Sequence, residues 1–325
     1  MAEKVIKTIG VLTSGGDAPG MNAATRAVVR AAVAQGMTVK GILRGYKGLL
    51  DEEIIDLTAD SVSGIVMNGG TLLLTARCKE FMTVEGQQKG AEVCRKYGID
   101  GMVVLGGDGS FRGAQKLAGY GINTIGVPCT IDMDIDSTDY TIGFDTACNT
   151  VMEAIDKIRG TSSSHERCTI IEVMGRDAGY IGLMAGLAGG AAETLIPETY
   201  DGNIQRIIDH VMDKKKRGKL PALIVNSEGI GNSSELAKMI EMATGVETRA
   251  TILGHIQRGG RPTVRDRFIA SMMGVKAVDL LMEGKTNRVV AYKAGDFVDY
   301  DIDEALSMKK NISPDWVRTY ELIRK

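Results

Sequence analysis

Several kinds of protein are argued against by what this chain has little of. Histidine is limited to His165, His210 and His255, too few to favour a zinc centre built on imidazole and thiolate ligands. The five cysteines, Cys78, Cys94, Cys129, Cys148 and Cys168, are odd in number and contain no CxxC pair, which points to a reducing compartment rather than a disulfide scaffold. A formal net charge of −2 removes the electrostatic case for nucleic acid or an acidic membrane surface as partner. No apolar run reaches the roughly 18 residues of a membrane span. The opening MAEKVIKTIGVL passes into a strand pattern without a signal-peptide core, so a soluble, cytoplasmic protein is expected. Aromatic residues make up only 5%.

What the chain does have is length and glycine. Its 325 residues are 44% hydrophobic, enough for a large core and, on ordinary domain sizes, two domains. The 41 glycines show no repeat, which suggests tight loops where backbone approaches a ligand. Short apolar strand patterns alternate with helix patterns. Strands are predicted at 9–12, 102–105, 122–127, 168–173, 222–225 and 250–253. Helices are predicted at 21–34, 85–97, 145–159, 233–242 and 264–282. This βαβα order with continuous apolar strands predicts parallel sheets covered by helices, with ligands at the carboxyl ends of the strands. The basic run Lys214–Lys219 reads as a solvated helix end, with anion binding second.

The unusual residues fall at those strand ends. TSGGDAPGMN, Thr13–Asn22, is neither a Walker A loop nor GxGxxG, but Gly15 and Gly16 would let backbone N–H groups reach an anion ahead of a helix N-terminus. GGDGS, Gly106–Ser110, sets Asp108 among glycines, which suits Mg²⁺ held by one carboxylate and phosphate oxygens. VPCTIDMDIDSTD, Val127–Asp139, crowds four aspartates behind a proline. It is not an EF-hand, because Ser137 and Gly143 stand where that loop needs Gly and Glu. If 130–134 is extended, Asp132 and Asp134 project to one side and Met133 to the other. A solvated turn and a catalytic carboxylate pair both remain open on these residues alone. The second half supplies cations, Arg167, Arg176, Arg249 and Arg258 with His255, suited to phosphate oxygens.

The ordered set GVLTSGGDAPGMNAA, TARC, GGDGS, PCTID, TIGFDTA, SSSHER, IEVMGRDAG and ETRATILGHIQRGG resembles the bacterial type of ATP-dependent 6-phosphofructokinase over about 250 residues. The resemblance implies two Rossmann-like αβα domains with mainly parallel sheets and an active site in the cleft between them. Residues 1–142 with 256–306 would form the ATP-binding domain, and 143–255 with 307–325 the sugar-phosphate domain. It also implies transfer of the γ-phosphoryl of MgATP to the 1-hydroxyl of fructose 6-phosphate. Gly16, Arg77, Cys78, Gly107, Asp108, Gly109 and Ser110 correspond to the ATP site, with Asp108 the Mg²⁺ partner. Asp132 corresponds to the general base, aided by Thr130, and Arg77 and Arg176 to the cations on the transferring group. Ile131, Asp134, Met174, Gly175, Arg176, Glu228, His255, Ile256, Gln257 and Arg258 correspond to sugar-phosphate contacts. Arg167 and Arg249 would complete a neighbouring subunit's site in a homotetramer.

Four features separate this chain from its family pattern or place it within it. Gly109 and Cys129 match ATP users, where pyrophosphate-using relatives tend to carry Asp and Lys. Met133 stands in the place of a family Asn. Arg26, Arg30 and Arg159, with the basic run near Lys219, match an effector site for ADP or phosphoenolpyruvate. Ala59 and Ala192 replace an Arg and a Glu of that site, so weakened allosteric control is expected. The alternatives are a kinase of the same fold using pyrophosphate or tagatose 6-phosphate, and a catalytically weak regulatory paralogue.

Overall fold

Eleven strands form two separate sheets among the residues described, 6–324 of a computed structural model. The described residues divide into two units. One comprises 6–131, Ile135–Thr146 and Arg258–Lys310, and the other Asp132–Asp134, Ala147–Gln257 and 311–324.

The first unit holds β1 (Thr8–Thr13), β2 (Thr38–Ile42), β3 (Ile54–Leu57), β4 (Gly101–Gly106), β5 (Asn123–Pro128), β10 (Arg288–Lys293) and β11 (Asp296–Asp301). Their order is β11-β10-β5-β4-β1-β2-β3. The five inner strands run parallel, while β3 and β11 close the two edges antiparallel. GMVVLG of β4 is buried at every position, as expected of a strand covered by helices on both faces. Leu12, Ile42, Leu49, Met102, Phe111 and Leu117 centre its core. Each such side chain contributes about 1.5–3 kcal/mol by leaving water. The helices Met21–Ala34 and Val264–Met282 cross closely because Gly274 lies against Ala27 and the carbonyl of Ala24.

The second unit holds β6 (Cys168–Val173), β7 (Glu193–Leu195), β8 (Ala222–Ser227) and β9 (Thr248–Ile252), in the order β7-β8-β6-β9 and all parallel. Ile170, Leu195, Ile207, Val211, Ile224 and Ile240 fill its core.

Both sheets reverse their winding once near the middle. The chain leaves β1 toward β2 on one side and later returns to β4 on the other. In the second sheet β8 and β9 flank β6 on opposite sides. Ligands bind parallel sheets in the crevice at the carboxyl ends of such reversals, and the turns after β1, β4 and β6 are the glycine-rich ones. No helix among the described residues is long and apolar enough to cross a membrane.

Candidate active site

In the first unit the turns after β1 and β4 are stitched together, because Ser14 N donates to Leu105 O at 2.9 Å. Gly15 takes φ +90°, backbone that an L residue adopts only with strain. The helix Asp108–Gly119 starts directly after β4, with Gly107 as its N-cap, so its free N–H groups and positive end face the same crevice. Nothing lies within 4 Å of where side chains at Gly107 and Gly109 would begin. Thr75 Oγ1 donates to Gly15 O at 2.7 Å, bringing the TARC segment to the same turn. Asn22 clamps the segment before it, donating to Asn68 O and Gly69 O at 3.1 and 3.2 Å and accepting from Leu72 N at 2.7 Å. Arg77 is exposed and Cys78 half-buried. Arg258 donates to Asp17 O at 3.0 Å, and its guanidinium fills the space a side chain at Gly16 would need. Gly16, Gly107–Ser110, the loop bearing Arg77 and Cys78, and Arg258 are therefore neighbours.

Asp108 is half-buried in the first helical turn, where it is the one acidic residue. The described residues contain no cluster of three or more His, Cys, Asp or Glu able to cage a metal ion. One carboxylate in the first helical turn, beside open backbone, fits Mg²⁺ that arrives on phosphate oxygens, since Mg²⁺ commonly takes one or two protein carboxylates and completes its shell from substrate and water.

In the second unit three adjacent strands end together. After β6, Gly175 N and Arg176 N donate to Glu228 Oε1 at 3.2 and 2.8 Å. Met174 N donates to Gln257 Oε1 at 3.1 Å. Glu228 follows β8, and Gln257 closes the short turn Gly254–Arg258 after β9. Gly175 has φ +135°, and a side chain there would strike the carbonyl of Ala178, so the MGRDAG turn needs glycine twice over. The turn presents Arg176 to two carboxylates. Its Nε lies 3.3 Å from Asp132 Oδ2 and its Nη1 3.8 Å from Asp134 Oδ2. Asp132 is 0% exposed, whereas the Arg176 side chain is 62% exposed.

Arg167 and Arg249 lie side by side. Both bind Glu247, Arg167 Nε at 2.9 Å and Arg249 Nη2 at 2.7 Å, and Thr169 pairs with Arg249 across β6 and β9. His255 and Ile256 are exposed. Arg159 lines a recess with Ser162, Gly190, Ala192 and Lys214, while Lys219 is exposed and absent from that lining. In the first unit Arg26 is half-buried and Arg30 donates to Ala59 O at 3.3 Å. Glu247, Asn22 and Thr75 were not singled out by sequence reasoning, whereas Lys214 opens the basic run read there as a helix end with anion binding second. Of the three, only Glu247 had a visible signal there, two residues before Arg249. All five cysteines are free thiols. Burial pushes Cys94 and Cys168 up to about 12 and Cys129 higher still, so none of these three is an activated nucleophile.

The condition under which Asp132 and Asp134 would project to one side of an extended segment is not met. The segment 130–134 is not extended: the chain bends at Ile131 and Asp132, and Met133 takes φ +59°. The cause is upstream pairing, because Thr130 N donates to Ile142 O at 3.1 Å and Thr141 Oγ1 to Thr130 O at 2.7 Å. With Thr130 held, the chain turns immediately after it. Left-handed backbone is several-fold enriched in Asn, which is a physical reason for the Asn that the resemblance implies at this place. Met133 is only 5% exposed. Its strain costs roughly 1–2 kcal/mol, and its burial contributes about 1.5–3 kcal/mol, so burial wins. Met133→Gly is accordingly expected to lower stability by about 1 kcal/mol in thermal melts. A raised Tm would show that strain dominates instead.

Glycine-rich backbone at one strand-order reversal, and a carboxylate pair sharing a guanidinium at the end of another parallel sheet, equip a doubly wound α/β phosphotransferase. The phosphofructokinase family pattern matches residues 8–281. The chain belongs to that family. It is 59% identical over 309 residues to the ATP-dependent 6-phosphofructokinase of Clostridium acetobutylicum, covering 95% of this chain and 96% of the relative. Among solved structures it is similar to Pichia pastoris phosphofructokinase, with TM-score 0.88 and 36% identity, covering 94% of this chain but only 38% of that longer one. It is also similar to the pyrophosphate-dependent phosphofructokinase of Marinobacter aquaeolei, with TM-score 0.84 and 26% identity, covering 98% and 92% of the two chains.

Proposed function

We propose that this chain is an ATP-dependent 6-phosphofructokinase, transferring the γ-phosphoryl of ATP to the 1-hydroxyl of fructose 6-phosphate to give fructose 1,6-bisphosphate and ADP. The observation that carries the reading is Asp132, fully buried with the Arg176 guanidinium 3.3 Å away. A base for the attacking hydroxyl and a cation for the transferring group thus occur together. Asp132 accepts the hydroxyl proton as the oxygen attacks phosphorus, a role typically worth about 10²–10⁴ in rate. Arg176, mostly solvent-exposed, moves from the carboxylates to the phosphoryl oxygens, where charge neutralisation supplies most of the catalysis. Arg77 serves the same oxygens from the nucleotide side. The backbone of Gly16 and of Gly107–Ser110 holds the ATP phosphates. Mg²⁺, partnered by Asp108, would supply further charge neutralisation on those phosphates. Glu228 holds the Met174–Arg176 turn against the sugar phosphate, and His255 and Arg258 contribute cationic contacts.

ATP is favoured over pyrophosphate by the open space around Gly109 and by the higher identity to the ATP-dependent relative. Arg167 and Arg249, held together by Glu247, are assigned to a neighbouring subunit's sugar site in a homotetramer. The recess at Arg159 is assigned to an effector such as ADP or phosphoenolpyruvate, weakly bound because Ala192 offers no carboxylate. The test is fructose 6-phosphate-dependent product formation with Mg²⁺, run with ATP and with pyrophosphate, each with and without added ADP. Rapid turnover with ATP alone is expected, with a saturation curve that ADP barely alters. Turnover with pyrophosphate alone would overturn the donor assignment, and a strong ADP response would overturn the weakened effector site.

A further inference from the structure

We infer that Asp266 is a positioning residue for the Asp132 base, acting at a distance through the segment Tyr140–Thr146. The inference rests on the assignment of Asp132 made above. Asp266 is 0% exposed and lies in the first turn of the helix Val264–Met282. Its side chain is not the cap of its own helix. The cap is Thr263, whose Oγ1 accepts from Asp266 N at 3.3 Å. The carboxylate points instead at the TIGFDTA segment. Oδ1 accepts from Tyr140 Oη at 2.6 Å and Gly143 N at 2.7 Å, and Oδ2 accepts from Thr146 N at 2.9 Å and from the Thr146 hydroxyl. Thr263 N donates to Thr146 Oγ1 at 3.0 Å, which locks the same end again.

Between these anchors lie the two residues that hold Thr130. Ile142 O accepts Thr130 N, and Ile142 N donates to Pro128 O at 3.0 Å. Thr141 Oγ1 donates to Thr130 O. Both peptide groups of Thr130 are thereby fixed by neighbours that Asp266 immobilises, and Asp132 follows two residues later. A buried carboxylate accepting four hydrogen bonds is a rigid anchor, because charge-assisted bonds are roughly twice as strong as neutral ones. Asparagine cannot replace it, since its amide offers one acceptor oxygen and turns a donor toward other donors. Small displacements of a reacting group from afar can cost about 10²-fold in rate, so slack in this segment should be read out at Asp132.

The test compares Asp266→Asn in two backgrounds, the natural chain and Asp132→Ser, measuring kcat, both KM values and Tm. In the natural chain Asp266→Asn is expected to lower kcat about tenfold or more, with KM for ATP and fructose 6-phosphate little changed. In the Asp132→Ser background it should cause no further loss, because the group it positions is already gone. An equal fold-loss in both backgrounds, or an unchanged kcat in the natural chain, overturns the inference and leaves the Asp132 assignment standing. Full activity of Asp132→Ser by itself overturns that assignment, and the positioning role with it. Should Asp266→Asn fail to fold, Thr141→Val, which removes the donor to Thr130 O, carries the same comparison with a smaller expected loss.

Discussion

Asp132→Ser is expected to lower kcat by about 10²–10⁴-fold while both substrates bind with KM values within a few-fold of normal. The serine hydroxyl can occupy the space but cannot take a proton from the attacking alcohol at neutral pH. Binding should survive, because the residues assigned above to the phosphates lie elsewhere. Glu228 holds the Met174–Arg176 turn through backbone N–H groups, and Arg176 keeps Asp134 as a carboxylate partner at 3.8 Å. Steady-state kinetics with each substrate varied separately will decide the point. A mutant with near-normal kcat would remove Asp132 from the chemistry. One whose KM rises steeply with kcat preserved would make it a binding residue instead.

Glu193→Gln is expected to cause a large loss of stability, about 3–5 kcal/mol. Glu193 is 2% exposed on β7 and meets Arg324 at 2.5 Å, His210 at 2.8 Å and Arg206 at 3.6 Å. Arg324, itself 12% exposed, follows the helix Pro314–Ile323, so the ion pair fastens the chain's last helix to the second sheet. Taking away the carboxylate leaves the largely buried guanidinium with, among the described residues, only the half-exposed Glu321, 2.7 Å from its Nε, as a carboxylate partner. Because Arg206 and His210 stay partly in water, the cost should fall toward the lower end of that range. Burial by itself would raise the Glu193 carboxyl, but His210, Arg324 and Arg206 outweigh it and hold the group below the usual carboxylate range. A depressed folded-state pKa gives stability that is fully present above the unfolded value of about 4.3. That stability is lost as pH falls through the lower folded value. Glu193→Gln should therefore flatten the acid limb of a Tm-against-pH curve as well as lower its plateau. Parallel curves for the two proteins would show that the ion pair is not the source.

The parts of the fold that could be read in advance share one property: their hydrophobic period agrees with their final burial. The helices Met21–Ala34 and Val264–Met282 and the strand Cys168–Val173 occur with the residue limits the pattern predicts. The helix expected at 145–159 instead runs Phe144–Ser164, continuing through Gly160 and a serine run that favours turns in isolation. Asp108–Gly119 was not foreseen as a helix. It contains three glycines, each costing roughly 1 kcal/mol against alanine, yet Gly113 is required because Tyr46 packs where a side chain would stand. Tyr46 also donates to Ser110 O at 2.6 Å, so tertiary packing overrides propensity there. The edge strands β3 and β11 were missed because IIDL and DFVDYD carry acids on partly exposed positions.

For the site, motif residues were legible as types of chemistry, and their local neighbours were not. Arg176 beside Asp132 joins residues 44 positions apart, and nothing in either motif encodes the distance. The left-handed turn at Met133 was hidden for a related reason. It is imposed by Ile142 and Thr141 gripping Thr130, a pairing set by the tertiary course of the chain rather than by local propensity.

The division into units that alternate along the chain also has a consequence for synthesis. The strands of the second sheet, Cys168 to Ile252, are all made before β10 and β11 of the first. A growing chain can finish its later-starting sheet while the earlier-starting one still shows β5 as a bare apolar edge, open to pairing with another chain. The ribosome thus completes the inner insertion before the frame that surrounds it in sequence. Premature stops before Arg288 should yield products prone to aggregate rather than to persist as half-enzymes.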